Sequence, residues 1–329
     1  MSRALISGIT GFVGSHLAEY LLANTDWDIV GMCRWRSPLD NIQSFIPEIN
    51  KGGRVSLVYA DLRDGIAVRE AVEQANPSHV FHLAAQSYPK TSFSSPLDTL
   101  DVNIQGTVRL LDALRKHDAE IHVCSSSEVY GRAKSIPIAE DAPFHPASPY
   151  AVSKVGCDLM ARHYAEAYGL RVQVTRMFTH TGPRRGDVFA ESSFAKQVAM
   201  IEADMIPPVV KVGNLKSLRT IADVRDAVRA YHMLLTVNPI AGEVYNIGGN
   251  YTCTVGGILN TLLAMSSSKI EVEVDPQRLR PVDADLQVPD CTKFMNHTGW
   301  KPEIPFEQTM RDLLSFWRDR VKTYPVLNR

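Results

Sequence analysis

Tyr150 and Lys154 stand four residues apart, so on a helix a phenol and an ammonium share one face. In water a phenol titrates near about 10 and is a poor base at neutral pH. A neighbouring ammonium favours the phenolate, and the expectation from this pair is a phenol moved toward the working range. Upstream, Ser125-Ser126-Ser127-Glu128 offers hydroxyls able to hydrogen-bond the same substrate oxygen as the phenol. Near the N-terminus, Gly8-Ile9-Thr10-Gly11-Phe12-Val13-Gly14 spaces three glycines for a tight turn. Without Cβ atoms the backbone there can approach a pyrophosphate closely, and the helix expected next presents free N–H groups and positive dipole to that anion.

These groups work together only if the chain brings them to one edge, and the pattern of elements does so. Ala4-Leu5-Ile6 reads as a strand, Gly14 to Leu22 as a helix, and Ile29 to Cys33 and Val55 to Tyr59 as strands. Ala67 to Gln74 follows as a helix, Val80 to Leu83 as a strand, Thr99 to Arg115 as a long helix and Ile121 to Ser125 as a strand. Tyr150 to Tyr168 is a further helix stopped by Gly169, and Val172 to Arg176 another strand. Strands alternating with helices imply βαβ units and a parallel sheet covered on both faces. The fold class expected is α/β, a doubly wound parallel sheet with a smaller mixed C-terminal lobe. Residues 1–178 form the dinucleotide-binding part and 179–329 the substrate lobe, interleaved through a returning strand near 243–248. The glycine turn and the serine cluster then both sit at the carboxyl edge of the sheet, where open α/β sheets bind ligands.

The end of the second strand bears on which dinucleotide is bound. An acidic residue there accepts from a ribose 2′-hydroxyl, but the chain reads Cys33-Arg34-Trp35-Arg36-Ser37. Arg34 and Arg36 can pair with a 2′-phosphate, which favours NADP. As solvated surface arginines they leave NAD open. Asp61 and Leu62 follow the third strand, placed to meet an adenine. Leu83-Ala84-Ala85-Gln86 follows the fourth with small residues where backbone can lie against the cofactor.

Composition narrows the class. Lys plus Arg number 35 against 36 Asp plus Glu in 329 residues, a formal charge of -1 that gives no bulk attraction to nucleic acid or an anionic membrane. Apolar runs fall short of the ~18 residues a membrane span needs, and no signal peptide is read at Met1-Ser2-Arg3. Five cysteines, scattered and without a CxxC, fit reduced thiols in a cytoplasm. The histidines show no HxxxH or HExxH spacing, so no metal site is expected. His79, His82 and His122 read as structural, Trp300 as packing the C-terminal lobe, and Arg225, Asp226 and Arg229 as a solvated charged face.

The motifs resemble those of the extended short-chain dehydrogenase/reductases that act on nucleotide sugars. They are Gly8 to Gly14, His82-Leu83-Ala84-Ala85-Gln86-Ser87, Asn103-Ile104-Gln105-Gly106-Thr107, Ser125 to Gly131, and Ser148-Pro149-Tyr150-Ala151-Val152-Ser153-Lys154. Within that family Gly182-Pro183-Arg184-Arg185-Gly186, Val212-Gly213-Asn214-Leu215 and Leu279-Arg280-Pro281 are similar to GDP-mannose 4,6-dehydratases and GDP-4-keto-6-deoxymannose reductases. The resemblance implies that Ser126 bonds the sugar 4-hydroxyl, that Tyr150 is the acid/base with Lys154 its partner, and that Glu128 takes the C5 proton. It puts His180 and Arg185 on the cofactor, and Ser87, Thr179, Lys196, Arg219 and Arg280 on the substrate side. The implied reaction is conversion of a GDP-hexose, GDP-mannose favoured, to its 4-keto-6-deoxy derivative by a homodimer or homotetramer. A GDP-4-keto-6-deoxy sugar reductase and a 4-epimerase are the alternatives, since both need Tyr150, Lys154 and Ser126 but no base at C5. The chain departs from the dehydratase pattern at Phe12-Val13, where Gln-Asp is usual, at Ser126, where Thr is usual, and at Thr179 to Gly182.

Overall fold

The computed structural model describes residues 2–279, 282, 284–323 and 326. Seven parallel strands form the main sheet: β1 (Arg3–Ser7), β2 (Asp28–Cys33), β3 (Val55–Tyr59), β4 (His79–His82), β5 (Glu120–Cys124), β6 (Arg171–Met177) and, later in the chain, β10 (Val244–Ile247). Their order is β10-β6-β5-β4-β1-β2-β3, which reverses direction between β1 and β4. That switch point opens a crevice at the carboxyl ends of the strands. Ala4, Leu5 and Ile6 are buried to the last atom because helices cover both faces of the sheet, as continuous apolar strands require.

Helices α1 (Phe12–Asn24), α2 (Ile46–Asn50), α3 (Gly65–Ala75), α4 (Pro89–Ser94), α5 (Pro96–Leu100), α6 (Gly106–Leu114) and α7 (Pro149–Tyr168) connect the first six strands. One apolar layer joins Leu17 and Leu21 of α1 to Ile6, Ile29 and Phe81. The opposite layer joins Val68 and Val72 of α3, Leu110 and Leu111 of α6 and Cys157 and Ala161 of α7 to Leu5, Val80 and Ile121. The long helix expected over Thr99–Arg115 is interrupted by a π turn at Asp101–Gln105 between α5 and α6. The wider turn directs Asn103 inward, and such turns concentrate at functional sites.

After β6 come β7 (His180–Thr181), α8 (Ala190–Glu202), β8 (Val209–Val212), β9 (Leu218–Asp223) and α9 (Val224–Thr236). Beyond β10 follow β11 (Tyr251–Thr254), α10 (Val255–Ala264), β12 (Glu271–Val274), β13 (Leu286–Gln287), α11 (Thr292–Thr298) and α12 (Phe306–Thr323). β9 pairs antiparallel with β11 and parallel with β7 and β13, while β8 pairs with β12. Phe194, Val198, Leu259, Leu313 and Trp317 form a separate core among α8, α10 and α12. Helix α9 and Trp300 lie instead in the layer of α1, and Trp300 Nε1–H donates to the Asp226 carbonyl at 3.1 Å.

The charges on α9 correct the sequence reading. Asp226 is buried and accepts the backbone N–H groups of Glu303 and Ile304 at 3.0 and 2.9 Å, along with Arg229 at 2.9 Å. Arg225 pairs with Asp223 and Asp312, both at 2.7 Å. Three residues that look like a solvated face by spacing are ties to the C-terminal segment. Their partners in the C-terminal segment, Glu303, Ile304 and Asp312, lie more than 70 positions away, where local spacing carries no signal. Among the described residues no helix is long and apolar enough to cross a membrane.

Candidate active site

The glycine loop is shaped by contacts that only glycine permits. Gly8, at φ +79, lies so close to Ala84 that a Cβ would sit 3.0 Å from its backbone. A Cβ on Gly14 would reach 2.3 Å from the Gly8 carbonyl oxygen, and Gly11 N–H closes the turn on that same oxygen at 2.9 Å. Helix α1 then begins with no side-chain cap and no acidic residue in its first turn. The opening N–H groups of Phe12, Val13 and Gly14 are therefore left for an anion. Thr10 turns its carbonyl away to accept Asn41 Nδ2–H at 3.0 Å.

The β4 end of the crevice is fixed by a buried polar relay. Ser7 Oγ accepts the N–H groups of Leu83 and Ala84 at 3.1 Å and meets His82 Nδ1 at 2.8 Å, while His82 Nε2 meets Thr107 at 3.0 Å. Burial, reinforced by the Lys154 charge, lowers the His82 pKa to about 3 and keeps the ring neutral. Asn103, from the π turn, accepts Gln86 N–H at 2.8 Å and donates to the Gln86 carbonyl and to Ser153 Oγ. It thereby joins the loop after β4 to the residue preceding Lys154. Ala85 and Gln86 are half-buried and Ser87 is exposed at the rim.

Helix α7 starts sharply because Ser148 caps Ala151 N–H at 3.1 Å and Pro149 occupies the first turn. That places Tyr150 and Lys154 on its inner face at the end of β5. Lys154 Nζ donates to the Cys124 carbonyl at 2.7 Å and lies 6.0 Å from the centre of the Tyr150 ring. Ser126 and Glu128 both stand near enough to act on the Tyr150 phenol, the hydroxyl favouring its charged form and the carboxylate opposing it. Ser126 also accepts Glu128 N–H at 3.2 Å, starting the short turn Ser127–Val129. The four residues expected to do the chemistry are thus together.

The expected direction of the Tyr150 pKa is corrected. Burial raises it, Lys154 pulls it down, and the net direction is upward from 10.0. Lys154 is also raised: burial opposes its charge, but the Tyr150 phenolate, Cys157 and Cys124 more than offset that. With the chain's own groups alone, Tyr150 stays a neutral phenol at physiological pH. One ammonium on a buried helix face does not replace the water a phenolate loses.

Opposite Tyr150 the 182–189 loop brings Arg185 into the crevice. Its guanidinium lies 3.4 Å from the Phe189 ring centre and 5.2 Å from that of Phe12, with Glu191 at 3.3 Å. Burial lowers its pKa against the pull of Glu191. His180 stacks on Phe12 at 5.8 Å and its Nδ1 meets the Phe178 carbonyl at 3.0 Å, so Nδ1 carries the proton. Nε2 is then a buried acceptor without a partner among the described residues. Phe189, Glu191 and Asn103 join the site only in the fold: the motif Asn103 to Thr107 carries the one sequence signal for Asn103, and Phe189 and Glu191 have none.

Other expected contacts are arranged differently. Asp61 is engaged by Arg63 at 2.7 Å, which holds its carboxyl below the usual range, while Leu62 is buried. Arg34 and Arg36 are exposed beside Trp35, whose ring packs edge-on against Tyr59 at 4.7 Å. Lys196 is buried and bound to Asp187 at 2.7 Å, so its charge is already answered within the chain. Arg219 donates to the Leu218 carbonyl at 3.0 Å, and the Thr179 carbonyl accepts Ala222 N–H at 2.9 Å. Arg280 lies outside the described residues.

The Cβ-excluding glycine cradle, the open start of α1 and the orphan His180 Nε2 fit a dinucleotide. Comparison with known proteins agrees. The family model for GDP-mannose 4,6 dehydratase matches residues 5–313. The chain is 31% identical to GDP-6-deoxy-D-mannose reductase of Pseudomonas aeruginosa, over 97% of this chain and 98% of that one. It is 31% identical to GDP-mannose 4,6-dehydratase of Yersinia enterocolitica, over 99% and 96%. The solved structure of RMD from Pseudomonas aeruginosa complexed with NADPH superposes with a TM-score of 0.82 at 30% identity, covering 97% of this chain and 99% of that chain. A loop-to-helix cradle, a Ser126–Tyr150–Lys154 cluster with an adjoining carboxylate and a full-length match converge, and the chain belongs to the GDP-mannose 4,6-dehydratase family.

Proposed function

We propose that this chain is an NADP-dependent nucleotide-sugar 4,6-dehydratase that converts a GDP-hexose, GDP-mannose first, to the 4-keto-6-deoxy sugar and water. The observation that carries this reading is the Glu128 carboxylate beside the Tyr150–Ser126 pair, a base that reduction or epimerisation at C4 does not need. Gly8, Gly11, Gly14 and the first N–H groups of α1 would hold the dinucleotide diphosphate, and Arg34 and Arg36 its 2′-phosphate. A nicotinamide dinucleotide held there would supply reversible hydride acceptance between C4 and C6, which makes the net reaction redox-neutral.

The chain's own groups manage the protons. Ser126 holds the 4-oxygen and the phenolate form of Tyr150 takes the hydroxyl proton as C4 becomes a ketone. The ketone acidifies the C5 proton, which Glu128 removes and passes to the departing 6-hydroxyl, so that it leaves as water. The proton returned to C5 as hydrogen is restored at C6 balances the one Tyr150 took from the 4-hydroxyl. Lys154 supplies the charge that favours the Tyr150 phenolate against burial. A homodimer or homotetramer in the cytoplasm belongs to this reading, supported by exposed Leu97, Val152 and Leu159 side chains on α5 and α7.

Incubation with GDP-mannose and no added reduced cofactor is expected to yield a 4-keto-6-deoxy product. Turnover only of a keto sugar, with one NADPH consumed per product, establishes the reductase instead, the activity named for the Pseudomonas relative. In Glu128→Gln, water elimination is expected to fall by about 10²- to 10⁴-fold while oxidation at C4 survives, seen as accumulated reduced nicotinamide absorbance. Equal loss of both half-reactions in a folded, binding-competent variant removes Glu128 from the assigned role.

A further inference from the structure

Arg184 is not needed for the proton chemistry, yet it is among the most constrained residues of the crevice. Its φ of +70 puts a non-glycine residue in the left-handed region, which L side chains rarely enter. Glycine would take this conformation without strain, and glycines stand at 182 and 186 on either side. The position therefore uses the side chain. That side chain reaches back to the elements of the dinucleotide cradle. Nη1 donates to the Asn41 carbonyl at 3.1 Å, Nη2 to His16 Nδ1 at 3.1 Å, and the guanidinium pairs with Glu19. His16 in turn donates Nε2–H to the Pro183 carbonyl at 2.9 Å, and Asn41 Nδ2–H holds the Thr10 carbonyl of the glycine loop.

The next residue is Arg185, whose carbonyl accepts the Ser192 hydroxyl of α8 at 2.6 Å and whose guanidinium lies between Phe12 of α1 and Phe189. The loop is thus fastened at its first half to the glycine-loop side of the crevice and at its second half to α8 on the other side. His16 is buried and its pKa falls to about 4, through burial and the Arg184 charge. The ring therefore stays neutral, with one nitrogen accepting and one donating, as both contacts require.

We propose that Arg184 is a positioning residue that couples the two binding sites: by pinning the 182–189 loop to α1 and Asn41 it sets Arg185 between Phe12 and Phe189, so that a dinucleotide on the glycine loop strengthens binding of the nucleotide diphosphate across the crevice. This rests on the dinucleotide reading above. Coupling of this kind is reciprocal and amounts to about 5- to 150-fold in affinity.

The test measures binding rather than turnover. The full chain is titrated with NADPH by nicotinamide fluorescence and with GDP by calorimetry, each alone and in the presence of the other. Wild type is expected to bind GDP about fivefold or more tightly when NADPH is present. Arg184→Gly, which relieves the backbone strain but removes the ties, is expected to keep the melting temperature, weaken NADPH about tenfold and reduce the coupling below about twofold. Wild-type coupling retained in Arg184→Gly overturns the proposal, as does wild type binding both ligands independently. Failure of wild type to bind NADPH at all overturns the dinucleotide reading instead. Should Arg184→Gly not fold, Glu19→Gln decides: a partial loss of coupling supports the proposal, and unchanged coupling overturns it.

Discussion

Tyr150→Phe lowers turnover by about 10²- to 10⁴-fold while NADPH binding and the melting temperature stay close to wild type. The substitution removes one oxygen and keeps the ring that fills the inner face of α7 at residue 150. What disappears is the hydroxyl proposed to exchange the proton of the sugar 4-hydroxyl, next to Ser126. Burial sets the phenol's pKa above 10.0 despite Lys154, so the rate should rise with pH as the phenolate fraction grows. Lys154→Met, which removes the charge that opposes burial, should move that limb to still higher pH. Single-turnover oxidation of GDP-mannose by bound NADP+ measures the step directly. A Tyr150→Phe rate within tenfold of wild type would remove Tyr150 from the chemistry.

Asp158→Ala destabilises the fold by about 3–5 kcal/mol, the range for stripping one partner from a buried ion pair. Asp158 is wholly buried on α7, and Arg176 on β6 is 3% exposed. Their contacts run at 2.8 and 3.1 Å. The loss leaves the Arg176 guanidinium with the Tyr130 hydroxyl at 2.9 Å and the Glu140 carbonyl at 2.7 Å, neither of which carries charge to match it. Because α7 also carries Lys154 about one turn and Tyr150 about two turns earlier, activity should fall along with stability. Urea unfolding checks the prediction: the midpoint should move down with little change in slope, and a shift worth less than about 1 kcal/mol contradicts it.

The legible parts of the site share one property: their meaning is carried by near neighbours in the chain. Glycines at 8, 11 and 14 make a turn whether or not the rest of the sheet is known, because the crowding at Gly14 comes from the Gly8 carbonyl only six residues back. Tyr150 and Lys154 face the same way because a helix turns once in about 3.6 residues, and Ser148 with Pro149 marks where that helix starts. Alternating strands and helices imposed the parallel sheet, and with it the carboxyl edge on which Ser126 and Glu128 lie.

The illegible parts depend on partners that periodicity within one element does not identify. Asp226 reads as a surface carboxylate until Glu303 and Ile304 fold back onto it. Arg185 stands between two phenyl rings, one from each side of the crevice, and no local pattern foretells that sandwich. The sequence alone determined which chemical groups are present, the periodicity that orients them and the edge of the sheet at which they gather. Only the tertiary structure decided which charges remain for a ligand and whether burial or the Lys154 ammonium governs the Tyr150 phenol. Periodicity is a property of the backbone within one element, whereas desolvation and charge pairing are sums over everything that packs nearby.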